Sequence, residues 1–308
     1  MALLQFKRKD PVSYETYNPT LEAFLQGYSI EVMPHASAKV ENFSEILPAG
    51  TRVYIAHIAG TSIEDMVATA RRIRAEGYDV MPHFPARIIQ DKAKLADWIA
   101  RYQGEADVKQ GLILAGGVDT PVGDFDSSMQ LLETGLFDKA GFKRLHVAGH
   151  PEGNRDIDSS GTKNVDAALG WKQAFANRTD AEMALATQFC FEAAPVIKWV
   201  DRLADMGVDL PVHIGISGPA KLQTLIKFAM ACGVGPSVRV LQKRAKDVTK
   251  LLMPFEPTQV LTELAKHKAQ NPDFNIAQVH FFPLGGIKTN ANWAMTHGGE
   301  SAKPASET

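Results

Sequence analysis

Short apolar runs of strand length, each followed by a stretch with helical periodicity, recur from residue 28 almost to the end of the chain. The runs at 28–33, 52–58, 79–84, 111–116, 144–149, 183–191, 211–217 and 276–283 are read as strands. Between them, 62–77 is the clearest helix: Ser62 and Asp65 resemble a capping box, Gly77 a stop, and Met66, Val67, Ala70 and Ile73 share one face. The stretch 193–207 repeats the pattern, with Val196, Ile197, Val200, Leu203 and Ala204 expected inward and Lys198, Asp201, Arg202 and Asp205 outward. Strand and helix in alternation imply parallel pairing through right-handed crossovers, and eight such units predict a closed (β/α)8 TIM barrel. An open doubly wound sheet is the weaker alternative, because no GxGxxG follows the first strand. Residues 235–272 exceed one barrel helix, and Pro254 and Pro257 divide them into extra helices before the last strand. A single catalytic domain over 1–297 is expected, followed by a small, polar, disordered tail at 298–308.

Composition narrows the partners. Across 308 residues, Lys and Arg number 33 against 35 Asp and Glu, a net charge of -2 that offers no general attraction to nucleic acid or anionic membrane. The apolar start MALLQF is broken by Lys7, Arg8 and Lys9 before a signal segment develops, and no apolar run is long enough to span a bilayer. Cys190 and Cys232 stand apart, which suits a reducing cytoplasm and two buried thiols. A cytoplasmic protein acting on small molecules is therefore expected.

In a TIM barrel the chemistry gathers where the strands end at their carboxyl side. Those ends deliver Glu31, His57, His83, the run Gly116-Gly117-Val118-Asp119, the run His150-Pro151-Glu152-Gly153-Asn154, Gln188, His213, Ser217-Gly218 and Gly285-Gly286. Histidines at four strand ends suggest a metal-dependent barrel hydrolase, although no HxH pair opens the first strand. Glu31 is sharper, since a carboxylate between Ile30 and Val32 is costly without a role; burial would raise its pKa and suit it to general-acid work. The bland alternative pairs it with a cation. Gly116-Gly117 permits either the approach of a ring or phosphate or merely a tight turn, and Gly285-Gly286-Ile287-Lys288 is a weaker phosphate candidate.

Taken in order, His150-Pro151-Glu152-Gly153-Asn154, Thr187-Gln188-Phe189, Val212 to Gly218 and Val279-His280-Phe281-Phe282-Pro283 resemble the methylenetetrahydrofolate reductase family over roughly residues 28–295. That resemblance implies a barrel in which NADH or NADPH reduces a bound FAD, which then passes hydride to the exocyclic carbon of a methylenetetrahydrofolate, usually in a homo-oligomer. It further implies Glu31 as the general acid for opening the folate ring, Asp119 between flavin and pterin, Gln188 as a hydrogen-bonding amide and Phe228 against the benzoyl group. Phe228 reads equally well as a core residue. His83, Gly117, Asp119, His150, Asn154, Asp166 and Lys172 fall at or near positions where the family contacts its flavin. The chain departs from the family after strand four, where Gly116-Gly117-Val118-Asp119 replaces an Arg-Gly-Asp run and a phosphate's cation is lost. Ala56 stands near a usual Thr, and Gly286 where some members carry Arg. These departures keep a flavin-independent folate reductase open, and a non-catalytic folate-binding module is a third class.

Overall fold

The computed structural model describes residues 18–233, 235–245 and 254–299. Eight strands pair side by side in chain order, all parallel, and β1 also pairs with β8, so the sheet closes into a barrel. They are β1 Ser29–Val32, β2 Arg52–Ile55, β3 Asp79–Pro85, β4 Gln110–Leu114, β5 Arg144–Gly149, β6 Glu182–Cys190, β7 Val212–Ser217 and β8 Ile276–Phe282. Each coincides with one of the eight apolar runs. The second run ends early, so His57 lies beyond β2 rather than in it.

The helices around the barrel, in chain order, include α1 Pro19–Leu25, α2 Pro34–Ser37, α3 Ile63–Ala75, α4 Lys92–Ala106, α5 Ser128–Glu133, α6 Leu136–Lys139, α7 Lys163–Ala176, α8 Ala193–Asp205, α9 Leu222–Ala231, α10 Gly235–Ala245, α11 Thr258–Gln270 and α12 Ile287–Thr296. At the start of α3, the Ser62 side chain accepts from the Asp65 N–H, and at its end Gly77 adopts φ +89, the left-handed turn that leads the chain through Tyr78 into β3. Met66, Val67, Ala70 and Ile73 are all buried. On α8 the inward stripe is Val196, Trp199, Val200 and Leu203, each burial contributing roughly 1.5–3 kcal/mol for the larger side chains. Ala204 is exposed, contrary to expectation, because the stripe drifts toward Trp199, whose larger ring takes the sheet-facing place.

The predicted extra helices are α10 and α11; residues 246–253 between them lie outside the described residues. So do 300–308 of the predicted tail. Gly298, its first residue, is instead held to the barrel, since its carbonyl accepts from Gln26 beyond α1 at 2.9 Å. Among the described residues no helix is long and apolar enough to cross a membrane.

Two features of the barrel set up the site. The lumen is polar along part of its length: the Tyr54 hydroxyl on β2 meets His146 Nδ1 on β5 at 2.6 Å, a bond between strands that are not neighbours and so one that crosses the interior. A small apolar layer of Tyr54, Met81, Leu112 and Ala186 fills the remainder. Second, β6 shifts register against β7 between Ala186 and Phe189. Gly215 makes that irregularity possible, because a Cβ there would press into the backbone of Thr187 and Gln188, and its N–H donates to Thr187 Oγ1 at 2.8 Å.

Candidate active site

Glu31 at the end of β1, Gln188 at the β6 bulge and Phe228 on α9 line one cavity of about 540 Å³ at the carboxyl end of the barrel. Its wall is largely apolar, with Phe189, Phe282 and Val32 among the lining side chains, and Lys39 and Lys288 at positions exposed to solvent. Phe228 is half-buried and faces this space, which decides against a purely packed core residue. The Gln188 Oε1 accepts from the Phe189 N–H at 3.2 Å, so the bulge orients the amide at the cavity wall. A slot with one carboxylate, one amide and aromatic walls matches what a flat, partly polar heterocycle requires.

Glu31 does not stand alone there. His83 Nε2 from β3 lies 3.2 Å from its Oε2, and His280 Nε2 from β8 lies 3.8 Å from the same oxygen. Burial by itself would raise the carboxyl pKa, but the two imidazoles facing it, His83 above all, outweigh it and bring the pKa down to about 2. This corrects the expectation of a raised value: the two imidazoles favour the ionised carboxylate. His280 is pulled the other way, its pKa lowered by burial more than Glu31 raises it. Its far nitrogen, Nδ1, is bound to the Ser29 hydroxyl at 2.9 Å.

No protein-family model matches the chain. Solved structures that resemble it include a D-psicose 3-epimerase in the presence of D-fructose, at 12% identity and TM-score 0.32, covering 86% of this chain and 89% of that one. Another is the D-psicose 3-epimerase of Clostridium cellulolyticum H10 with D-tagatose, at 10% identity and TM-score 0.31, covering 88% of this chain and 96% of that one. Likeness at that level carries nothing about chemistry, and the TIM-barrel assignment rests on the closed strand pairing itself.

The residues expected around a flavin are dispersed among other duties. Asp166 on α7 is held by Arg202 on α8 through two contacts of 2.7 and 3.0 Å and accepts from the Thr162 hydroxyl at 2.8 Å. Lys172 is buried and donates to the Ala148 carbonyl at 2.7 Å; burial lowers its pKa to about 8, so its charge is weakly held. Asn154 caps its own loop, accepting from the Asp156 N–H at 2.9 Å. His150 sits by Lys172, and burial with that neighbouring charge lowers its pKa to about 4. Asp119 and Gly117 are exposed on the loop after β4, outside the residues lining the cavity. Gly116 takes φ +98 against Pro85, the tight-turn reading, whereas a Cβ on Gly117 would meet nothing within 4 Å. The missing loop arginine has a partial substitute in Arg87, which reaches the Val118 carbonyl at 3.2 Å but is tied to Asp126 at 2.8 Å. Of the residues expected around a flavin, Asp166, Lys172 and the Asn154 side-chain oxygen thus already have partners within the protein.

Other candidates resolve differently. Among the described residues no group of three or more His, Cys, Asp or Glu side chains is disposed to hold a metal ion. His57 stacks on Trp98 and contacts the Thr61 carbonyl at 3.0 Å. His213 is not at the carboxyl end at all; it is the second residue of β7 and lines a cavity at the opposite mouth. Gly285 and Gly218 admit the close approach of the loops after β8 and β7, since a Cβ at Gly285 would strike the Pro219 carbonyl and one at Gly218 the Asn290 side chain. That packing role replaces the phosphate reading. Cys190 is buried as expected, but Cys232 is exposed and lines the Glu31 cavity, because α9 ends at its rim. Sequence reasoning missed His280 as a partner of Glu31, although the motif containing it was noticed; its spacing from β1 revealed nothing until the barrel closed.

Proposed function

We propose that the chain is an oxidoreductase of the methylenetetrahydrofolate reductase type, exchanging a hydride between a nicotinamide and the one-carbon unit of a reduced folate. The observation that carries this reading is the convergence of Glu31, Gln188 and Phe228, from three distant stretches, on a single mostly apolar cavity. An amide suits the edge of a pterin, Phe228 suits a benzoyl ring, and Lys39 and Lys288 suit the carboxylates of a glutamate tail. The engagement of Asn154, Asp166 and Lys172 favours direct transfer from nicotinamide to folate over relay by bound FAD.

In the reducing direction the reaction takes up one hydride and one proton. The proton opens the five-membered ring at its bridging nitrogen, leaving an iminium carbon that accepts the hydride. Glu31 is assigned to pass that proton, with the His83 and His280 imidazoles 3.2 and 3.8 Å from its Oε2 as the groups that can supply it. Apolar walls from Phe189 and Phe282 exclude water that would hydrolyse the iminium. The barrel supplies position, proton and field.

The test is to mix purified protein with NADH or NADPH and methylenetetrahydrofolate, and to follow nicotinamide absorbance and methyltetrahydrofolate by mass spectrometry. Folate-dependent oxidation by a colourless protein supports direct transfer; a yellow protein with a flavin spectrum supports the relayed form. Tight binding of methyltetrahydrofolate without turnover in either direction would replace the proposal with a binding module.

A further inference from the structure

The lumen beneath Glu31 contains a chain of exchangeable groups that neither ring opening nor hydride transfer uses. From the top, Glu31 Oε2 faces His280 Nε2 at 3.8 Å, and His280 Nδ1 meets Ser29 Oγ at 2.9 Å. The Tyr54 ring packs 4.3 Å from the His280 ring, on the strand next to Ser29, and its hydroxyl meets His146 Nδ1 at 2.6 Å. His146 in turn lines a cavity of about 610 Å³ at the amino end of the barrel, with Arg52, Arg144, His213 and Gln278. The groups thus run from the active-site carboxylate to the opposite mouth. Two steps, His280 to Glu31 and Tyr54 to Ser29, are not closed by a direct hydrogen bond and are completed by small side-chain rotations during transfer.

We propose that Ser29, Tyr54, His146 and His280 form a proton relay that recharges the Glu31 site from the amino-terminal mouth of the barrel. The proposal rests on the folate-reductase reading for its purpose. Each turnover consumes a proton at Glu31 while two flat substrates cover the carboxyl-end mouth, so bulk water has no direct approach from that side. A route from beneath resolves the conflict.

The transfers balance. A proton from water in the lower cavity binds His146 Nε2, and the Nδ1 proton passes to the Tyr54 oxygen. The Tyr54 proton moves to Ser29 Oγ, the Ser29 proton to His280 Nδ1, and the His280 Nε2 proton to Glu31. One proton enters and one is delivered, and no group ends with a changed charge except the carboxylate. The charged groups facing the relay are Arg52, which donates to Gln110 at 3.0 Å, and Arg144, paired to Glu182 at 2.8 Å. Burial first, and then these charges with His213 edge-on to His146 at 4.5 Å, keep His146 neutral until a proton is passed onward. The four side chains act through Glu31 and are positioning residues.

Two measurements test this on the full chain. In folate turnover, Tyr54→Phe and His146→Ala should lower kcat by about tenfold or more with little change in KM. Imidazole and its methyl derivatives should restore His146→Ala in order of their basicity, entering by the lower cavity, and should leave Tyr54→Phe unrescued. Separately, in protein carrying isotope-labelled histidine and no substrate, NMR reads solvent exchange of the hydrogen shared by Ser29 and His280. Tyr54→Phe should slow that exchange, and His146→Gln serves as the second variant if Tyr54→Phe folds poorly. Slowed exchange in a protein without folate turnover would retain the relay and discard the folate reading. Exchange at the wild-type rate in folded variants, or lost kcat in His146→Ala that no imidazole restores, overturns the relay.

Discussion

At the scale of single residues, Glu31 shows how far a side chain's chemistry depends on neighbours remote in sequence. Ile30 and Val32 suggest a desolvated acid, but His83 and His280 reach it across the closed barrel and reverse the direction of its pKa. Glu31→Gln should slow the folate reaction by about two orders of magnitude or more, the usual scale of a lost general acid, with thermal stability largely kept. Comparable loss of affinity for both substrates, with kcat unchanged, would remove Glu31 from the proton step. Gln188→Ala removes one hydrogen-bonding amide and should raise KM for the folate roughly fivefold, in line with about 1 kcal/mol for a neutral hydrogen bond. Titration of methyltetrahydrofolate by calorimetry checks it, and unchanged affinity would take the amide out of the binding site.

At the scale of elements, the bulge in β6 and the clamp between α7 and α8 make distinct predictions. Gly215→Ala forces a methyl group into the backbone of Thr187 and Gln188 and should cost about 1–3 kcal/mol, read from denaturant midpoints. Because that backbone presents Gln188 to the cavity, folate affinity should weaken together with stability. Asp166→Asn breaks the pairing to Arg202, both groups being about one-third exposed, and should cost about 1 kcal/mol at most after solvent screening. If the same variant instead strips a bound flavin from the purified protein, Asp166 belongs to a cofactor site after all. The helix periodicity of α8 was legible in sequence. Its ion pair to α7 was not, because it depends on the angle at which two adjacent barrel helices meet.

The whole molecule buries an unusual set of histidines, and this governs its response to acid. His146, His150, His213, His280 and His57 all have pKa values lowered, chiefly by burial, with His150 at about 4 and His213 at about 3 against 6.5 in an unfolded chain. Between those values the unfolded chain binds protons that the folded one refuses, so stability falls as pH drops below 6.5. Urea midpoints should therefore decrease steadily from pH 7 to pH 5, and a flat profile would mean the histidines are not held neutral. Lys172 adds an alkaline counterpart: with its pKa lowered from 10.5 to about 8, stability rises as pH increases through that window. Lys172→Met should raise stability at pH 7 by on the order of 1–3 kcal/mol and abolish the alkaline rise.

The sequence alone determined the architecture, because alternation of strand-length apolar runs with amphipathic helices is a local pattern and a parallel barrel is its closed solution. It also marked Glu31, Gln188 and Phe228, whose oddity is visible in their immediate context or motif. Tertiary structure decided what those residues meet. Closing β1 against β8 set Ser29 opposite His280 in register, and spanning the lumen joined Tyr54 to His146; neither contact has a signature in sequence spacing. The partners of Asp166 and Lys172 were hidden for the same reason: a charged side chain has several possible partners, and only the packed geometry selects which one it takes.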